Sequence, residues 1–148
     1  MPINPELQGR VYAKTPSYLV GREKIREFSR AVFSTSPLNF DVEAARAAGY
    51  ADVVAPPTFA IVLQQFTLQQ LLDDDDAGIE LSHVVHGQQQ FTSARPIVAG
   101  DELTAVQTIA SVKSLGGNSM ITSESVIEDA AGEHVATTTS TLVVRGDS

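Results

Sequence analysis

The chain has 148 residues, 43 % of them apolar, and a formal net charge of −8, which suits one globular domain, 1–148, able to bury its own core. It holds no cysteine, so disulfides, thiolate nucleophiles and cysteine-bound metals are excluded, and a reducing cytoplasm is the expected compartment. The acidic balance argues against a nucleic-acid partner, no run reaches the ~18 apolar residues of a membrane span, and MPINPELQGR lacks the basic-then-apolar order of a signal peptide.

In chain order, GREKIREFSRAVF (Gly21 to Phe33) places Ile25, Phe28 and Val32 on one stripe with charges between them, which predicts an amphipathic helix. Arg22, Lys24, Arg26, Arg30 and Arg46 cluster here. They read either as a solvated helix face or as a basic patch for an anionic partner. Pro37 breaks the pattern, Asp41 is placed to cap a short helix VEAARAA, and Gly49 to end it. Pro56-Pro57 suit a first helical turn, because a proline lacks an N–H that would be unpaired there. The run TFAIVLQQFTLQQLL from Thr58 is apolar around much of its circumference, which predicts a buried helix. Asp73 to Asp76 oppose the helix dipole and are expected in a solvated loop.

After Gly78, turn signals fall at Ala99-Gly100-Asp101, Gly116-Gly117-Asn118 and Ala131-Gly132-Glu133. The segments between them are rich in Val, Ile and Thr and predict an antiparallel meander. Helices first and strands second make an α+β chain, in which a long curved antiparallel β-sheet wraps one long central helix: the hot-dog fold.

Five collinear segments, PSYLVGREKIREF at 16–28, DVVAPPTF at 52–59, VVHGQQQF at 84–91, RPIVAGDEL at 95–103 and AGEHV at 131–135, resemble the MaoC-like (R)-specific hydratases and dehydratases. The resemblance is nearer to the FAS1-like dehydratase type and to short actinobacterial members similar to subunits A and C of the mycobacterial (3R)-hydroxyacyl-ACP dehydratase. It implies an acyl-CoA or acyl-carrier-protein thioester as ligand, no cofactor, and a hot-dog dimer.

Hydrating a 2-enoyl thioester, or the reverse, needs a base, an acid and a donor to the thioester oxygen. Catalytic members resemble one another in a G-D-x-N-P-[IL]-H-x-D segment and a later A-H-G step. Laid on SPLNFD, the acid–base positions fall on Ser34 and Asn39, neither of which titrates near neutrality. The A-H-G step falls on Ala55-Pro56-Pro57, so the donor position is Pro57, whose nitrogen carries no hydrogen. The resemblance thus implies a vacated catalytic site, with Pro57, Thr58, Phe59, His86, Gly87 and Gln88 as binding residues. His86 reads either as a strand histidine held within the sheet or as a pocket residue. His83 and His86, three apart on an expected strand, would face opposite sides and make no metal site. Asp101 reads as turn chemistry.

Three functions follow from these residues. The first is a non-catalytic subunit paired with a catalytic MaoC-like subunit. The second is a self-pairing active hydratase that uses His86, and the third is a thioester-binding or scaffolding module without catalysis.

Overall fold

The Val-, Ile- and Thr-rich segments form one antiparallel sheet in the order β1-β3-β4-β5-β2 in the computed structural model, which describes residues 3–146. The strands are β1 (Tyr18–Leu19), β2 (Val84–Ser93), β3 (Glu102–Leu115), β4 (Asn118–Glu128) and β5 (His134–Val144). Two of the three expected turn signals are hairpins; the meander is limited to β3, β4 and β5, because β2 pairs with β5 rather than β3 and the Ala99-Gly100-Asp101 turn joins no neighbouring strands. Gly116 and Gly117, at φ 58° and 85°, join β3 to β4, and Gly132, at φ 80°, joins β4 to β5. Register shifts between Ile109 and Ser111 and between Ile127 and Glu128 mark irregularities that bend the strands, and the sheet curls.

Three α-helices accompany the sheet: α1 (Arg22–Ala31), α2 (Val42–Ala47) and α3 (Ile61–Asp73). α1 buries Ile25 and Ser29 and half-buries Phe28, but it ends at Ala31, short of the expected Phe33, and Val32, the third residue of the expected stripe, is exposed. The Asp41 carboxylate accepts the Glu43 N–H at 2.9 Å and so caps α2, and Gly49 follows at φ 97°. α3 lies across the concave face of the sheet, where Leu63, Thr67 and Leu71 are buried. Fully burying a leucine such as Leu63 or Leu71 is worth about 1.5–3 kcal/mol. The architecture is the expected α+β hot-dog arrangement.

Two apolar clusters make the core. One joins Ile25, Phe59, Leu63, Leu103 and Ile127, and the other joins Leu7, Leu71, Ile109, Ile121 and Leu142. Between them the inward positions are polar. The Gln107 amide donates to the Thr67 carbonyl at 2.7 Å, and the Thr67 and Ser125 hydroxyls lie 2.9 Å apart. Thr138, paired with Ser125 across β4 and β5, is also buried.

Several local expectations are corrected. α3 begins at Ile61 rather than Thr58, because a turn in which the Phe59 N–H bonds the Pro56 carbonyl at 2.9 Å intervenes. The aspartate run is not a solvated loop throughout. Asp73 ends α3, and Asp74 accepts the Tyr12 hydroxyl at 2.7 Å and an Arg10 N–H at 2.8 Å. Arg10 also reaches Asp76 at 2.7 Å. The Tyr12 hydroxyl, followed by Arg10, holds the Asp74 carboxyl below its usual range, while burial and then Asp74 push the Tyr12 phenol up. The cations expected as a patch are mostly engaged: Arg22 with Asp52 at 2.8 Å, Lys24 with Glu27 at 3.4 Å, Arg26 with Glu23, and Arg46 with the Ala51 carbonyl at 3.2 Å. His83 lies in a 3-10 turn, Leu81–His83, ahead of β2 rather than on the strand with His86. Among the described residues no helix is long and apolar enough to cross a membrane. The first two and last two residues of the single-domain reading lie outside the described ones.

Candidate active-site cleft

The end of α1 sets the site. The Phe33 N–H bonds the Arg30 carbonyl at 3.1 Å and the Ser34 N–H bonds the Ser29 carbonyl at 2.9 Å, the paired pattern of a Schellman close. Phe33 occupies the left-handed position, at φ 60°, where glycine is the usual residue, and its ring is 89 % exposed. This turn delivers Ser34. Two residues on, the Ser36 hydroxyl accepts the Leu38 N–H at 3.3 Å and starts the 3-10 turn Pro37–Asn39. That turn returns Asn39 to Ser34.

The Ser34 hydroxyl donates to Asn39 Oδ1, and Asn39 Nδ2 donates to the Val54 carbonyl at 2.6 Å. The Val54 N–H answers by bonding the Leu38 carbonyl at 2.8 Å. Asn39 is only 7 % exposed, so its amide is spent on the protein at both ends. It acts as a strut between the Pro37 turn and the Val53–Ala55 segment, which is itself tied to Ile97 and Ala99. Neither side chain carries a proton that titrates near neutrality.

Around this strut lies a cleft of about 720 Å³, within the range of small-molecule sites. Its apolar walls are Val32, Leu38, Val54, Ala60, Phe91, Ile97 and Ala136. Ser34, Ser36, Asn39, Thr58, Thr92, Ser93 and Arg95 are its polar lining residues. Among the described residues lining it, Arg95 is the one ionisable side chain, and no carboxylate or histidine faces the space. Arg95 is committed elsewhere, to Asp101 at 2.9 and 3.1 Å and to Asp129 at 3.2 Å. Asp101, then Asp129, holds that guanidinium further into its charged form. The Asp129 carboxyl is held below its usual range, first by the Glu133 N–H and also by Arg95. Asp101 also accepts the Val98 N–H at 2.9 Å, which is turn chemistry. The arrangement can enclose an apolar chain beside a few hydrogen-bonding groups. It offers no acid–base pair.

Ser34, Asn39, Pro57 and Thr58 therefore stand together on this cleft. Thr58, beside the proline that lacks an N–H, lines the same wall. The other sequence candidates are elsewhere. Phe59 turns into the core with no exposure and meets Phe28 edge-on at 5.3 Å between ring centroids, so it is not a cleft residue. His86, Gly87 and Gln88 are exposed on β2 and do not line the cleft. A register shift at this point turns the strand, where a side chain on Gly87 would meet Val143 at 3.2 Å. His86 Nε2 lies 3.0 Å from the Gln88 carbonyl and 3.4 Å from the Ser140 hydroxyl. Sequence reasoning missed Phe91, Ser93, Arg95 and Ile97 as lining residues, although two of the five matching segments contain Phe91, Arg95 and Ile97. Among the described residues no group of three or more His, Cys, Asp or Glu is placed to hold a metal ion.

Comparison with known proteins gives the site a context. A family model described as the FAS1-like dehydratase domain region matches residues 6–138. A UPF0336 protein of Leifsonia xyli subsp. xyli is 67 % identical over 147 residues, 99 % of each chain. The (3R)-hydroxyacyl-ACP dehydratase HadBC complex of Mycobacterium tuberculosis, in a C-terminally truncated form, superposes with a TM-score of 0.84 at 33 % identity. That match covers 93 % of this chain and 96 % of the other. The ChsH1-ChsH2 complex of the same organism, at 20 % identity over 93 % of this chain and 85 % of the other, shares the fold with a TM-score of 0.70.

Proposed function

Because this chain belongs to the family of FAS1-like dehydratase domains, we propose that it is the non-catalytic subunit of a heteromeric (R)-3-hydroxyacyl thioester dehydratase or enoyl hydratase. A catalytic MaoC-like subunit supplies the Asp/His pair, and this chain houses part of the acyl chain of a CoA or carrier-protein thioester. The observation that carries the reading is the cleft itself. It keeps the shape and the apolar walls of a ligand site, while Ser34 and Asn39 bond each other and Pro57 has no N–H to offer. General acid–base catalysis typically supplies on the order of 10²–10⁴-fold, and one oxyanion donor on the order of 10²–10³-fold. A site lacking both does not reach enzymatic rates alone.

The need for a partner is supported by β2. It ends the sheet, its outer edge is unpaired over ten residues, and it carries no lysine or proline to guard that edge. Val85 on it is 65 % exposed. A second hot-dog subunit pairing along β2 satisfies the edge and covers His86 and Gln88. A second copy of this chain is the competing occupant when no catalytic subunit is present. The likeness to the HadBC complex favours a different subunit.

The test is reconstitution. The chain is co-expressed with a catalytic MaoC-like subunit from the same genome, and turnover of a short and a long enoyl thioester is measured for each chain alone and for the pair. The expected result is a co-purifying pair more active on the long substrate than the catalytic subunit alone. A catalytic subunit that neither binds this chain nor gains from it overturns the proposal.

A further inference from the structure

Three of the residues that line the cleft are followed, further along their own elements, by polar side chains that do not line it. The lining residue Ala60, just ahead of α3, is followed one turn on by Gln64, which is buried. On β2, the lining residue Phe91 is followed on the same face by Gln89. On β5, the lining residue Ala136 is followed by Thr138, which is also the cross-strand partner of Phe91. Gln64 and Gln89 meet across the gap between helix and edge strand. Gln64 Nε2 donates to Gln89 Oε1 at 2.9 Å and Gln89 Nε2 returns a bond to Gln64 Oε1 at 2.7 Å. The Thr138 hydroxyl is buried with no hydrogen-bond partner among the described residues.

Resting on the proposed function, we propose that the Gln64–Gln89 amide pair is the stop that sets how long an acyl chain the cleft accepts. The two amides bond each other, with Gln89 Nε2 also 3.4 Å from the Gln90 carbonyl, so a methyl terminus entering between them breaks both paired bonds and gains no apolar contact. The unpartnered Thr138 hydroxyl behind Phe91 makes the same end of the cleft inhospitable to hydrocarbon. Chain carbons ahead of the pair are buried against Val54, Ala60, Phe91 and Ile97, and each adds to binding. Carbons beyond it add nothing. Gln64 and Gln89 touch the end of the chain rather than the thioester, so they fix length preference and leave the chemistry to the partner.

The experiment is a titration of this chain, paired with its catalytic subunit, with saturated acyl-CoAs from butyryl to palmitoyl, read by calorimetry. For the unaltered protein, affinity is expected to rise about fourfold per methylene and then level off at a definite length. In Gln64→Ala, which vacates the space beyond Cβ, the levelling point moves out by about two methylenes, a gain of about fifteenfold for the longer chains. Gln64→Leu, which abolishes the amide pair and keeps the bulk, also moves it out, by less than Gln64→Ala does. Gln89→Ala, on the half-buried edge strand, repeats the shift and serves if Gln64→Ala does not fold. The same levelling length in the unaltered protein and both alanine variants overturns the stop while leaving the proposed function standing. A levelling point that Gln64→Leu leaves unmoved, which would make bulk rather than the amide pair the stop, also overturns it. Failure of the unaltered pair to bind any acyl-CoA overturns the stop and the acyl-housing role together.

Discussion

Replacing Asn39 with alanine separates a strut from a catalyst. In the folded chain the Asn39 amide accepts the Ser34 hydroxyl and donates to the Val54 carbonyl at 2.6 Å, and it is nearly fully buried. Alanine removes both bonds, each worth about 1 kcal/mol net, and leaves the Val54 carbonyl without its side-chain donor, which costs about 1–2 kcal/mol more. The sum is about 3–4 kcal/mol, read as a loss of urea unfolding free energy, or as a fall in Tm of about 6–15 °C for a chain of this size. Asn39→Asp is expected to be no milder, because a carboxylate cannot donate to that carbonyl. The companion assay is turnover by the complex with a catalytic subunit, below the unfolding range. If Asn39 is a strut, kcat per folded complex is unchanged within about twofold, against the roughly 10²–10⁴-fold loss expected of an acid–base residue. An Asn39→Ala protein as stable as the parent and catalytically dead would refute the reasoning on both counts.

Three further outcomes follow from single contacts. Phe59→Ala, at a side chain with no exposure packed edge-on against Phe28, is expected to cost about 3–5 kcal/mol in urea unfolding, and a loss below about 1 kcal/mol would contradict its place in the core. Phe33→Gly relieves a left-handed residue whose ring packs on little, and is expected to raise stability by about 1 kcal/mol with the α1 close intact; a destabilised variant would show that the ring has contacts within the chain. The Asp74 carboxyl is held below its unfolded value, so its contribution is present above the ordinary carboxylate pKa of about 4 and is lost as pH falls through the lower folded value. The Tyr12 phenol is held above its unfolded value, so its contribution is present below about pH 10 and fades as pH rises toward the folded value. Asp74→Asn should therefore flatten the acid limb of the stability–pH curve and lower the Tyr12 titration followed by phenolate absorbance. An unchanged acid limb and phenol titration would count against the clamp.

The parts of the fold that were legible in the sequence are those written locally. Gly116, Gly117 and Gly132 have the backbone that only glycine adopts freely, so the hairpins fall where turn residues interrupt the Val, Ile and Thr runs. Asp41 caps α2 through a bond two residues long. Ser34 and Asn39 are five apart around one proline turn, and their contact follows from that turn. What was not legible depends on partners far along the chain. Asp74 reads as one of four solvated acids until Tyr12 and Arg10, 62 and 64 residues away, fold onto it. Phe59 stands next to two cleft residues, yet the turn before α3 points it inward at Phe28. The bulge at Gly87 depends on β5 running beside it, so the exposed placement of His86, away from the cleft, cannot be read from VVHGQQQF. The close of α1 carries Phe33 where the sequence signature is glycine, which hid the turn that seats Ser34. Gln64 is buried in α3 because Gln89, 25 residues away on the edge strand, completes its hydrogen bonds, a pairing that the helix's own sequence does not signal.

The central claim is that this chain keeps a ligand cleft and has lost its own proton chemistry. It is tested most directly by incubating the purified chain alone with crotonyl-CoA and with a long-chain enoyl-CoA and following the absorbance of the conjugated thioester. The account predicts no loss of absorbance above the uncatalysed rate, at any pH where the chain is folded. Turnover at rates typical of stand-alone hydratases, abolished by Ser34→Ala, would contradict it.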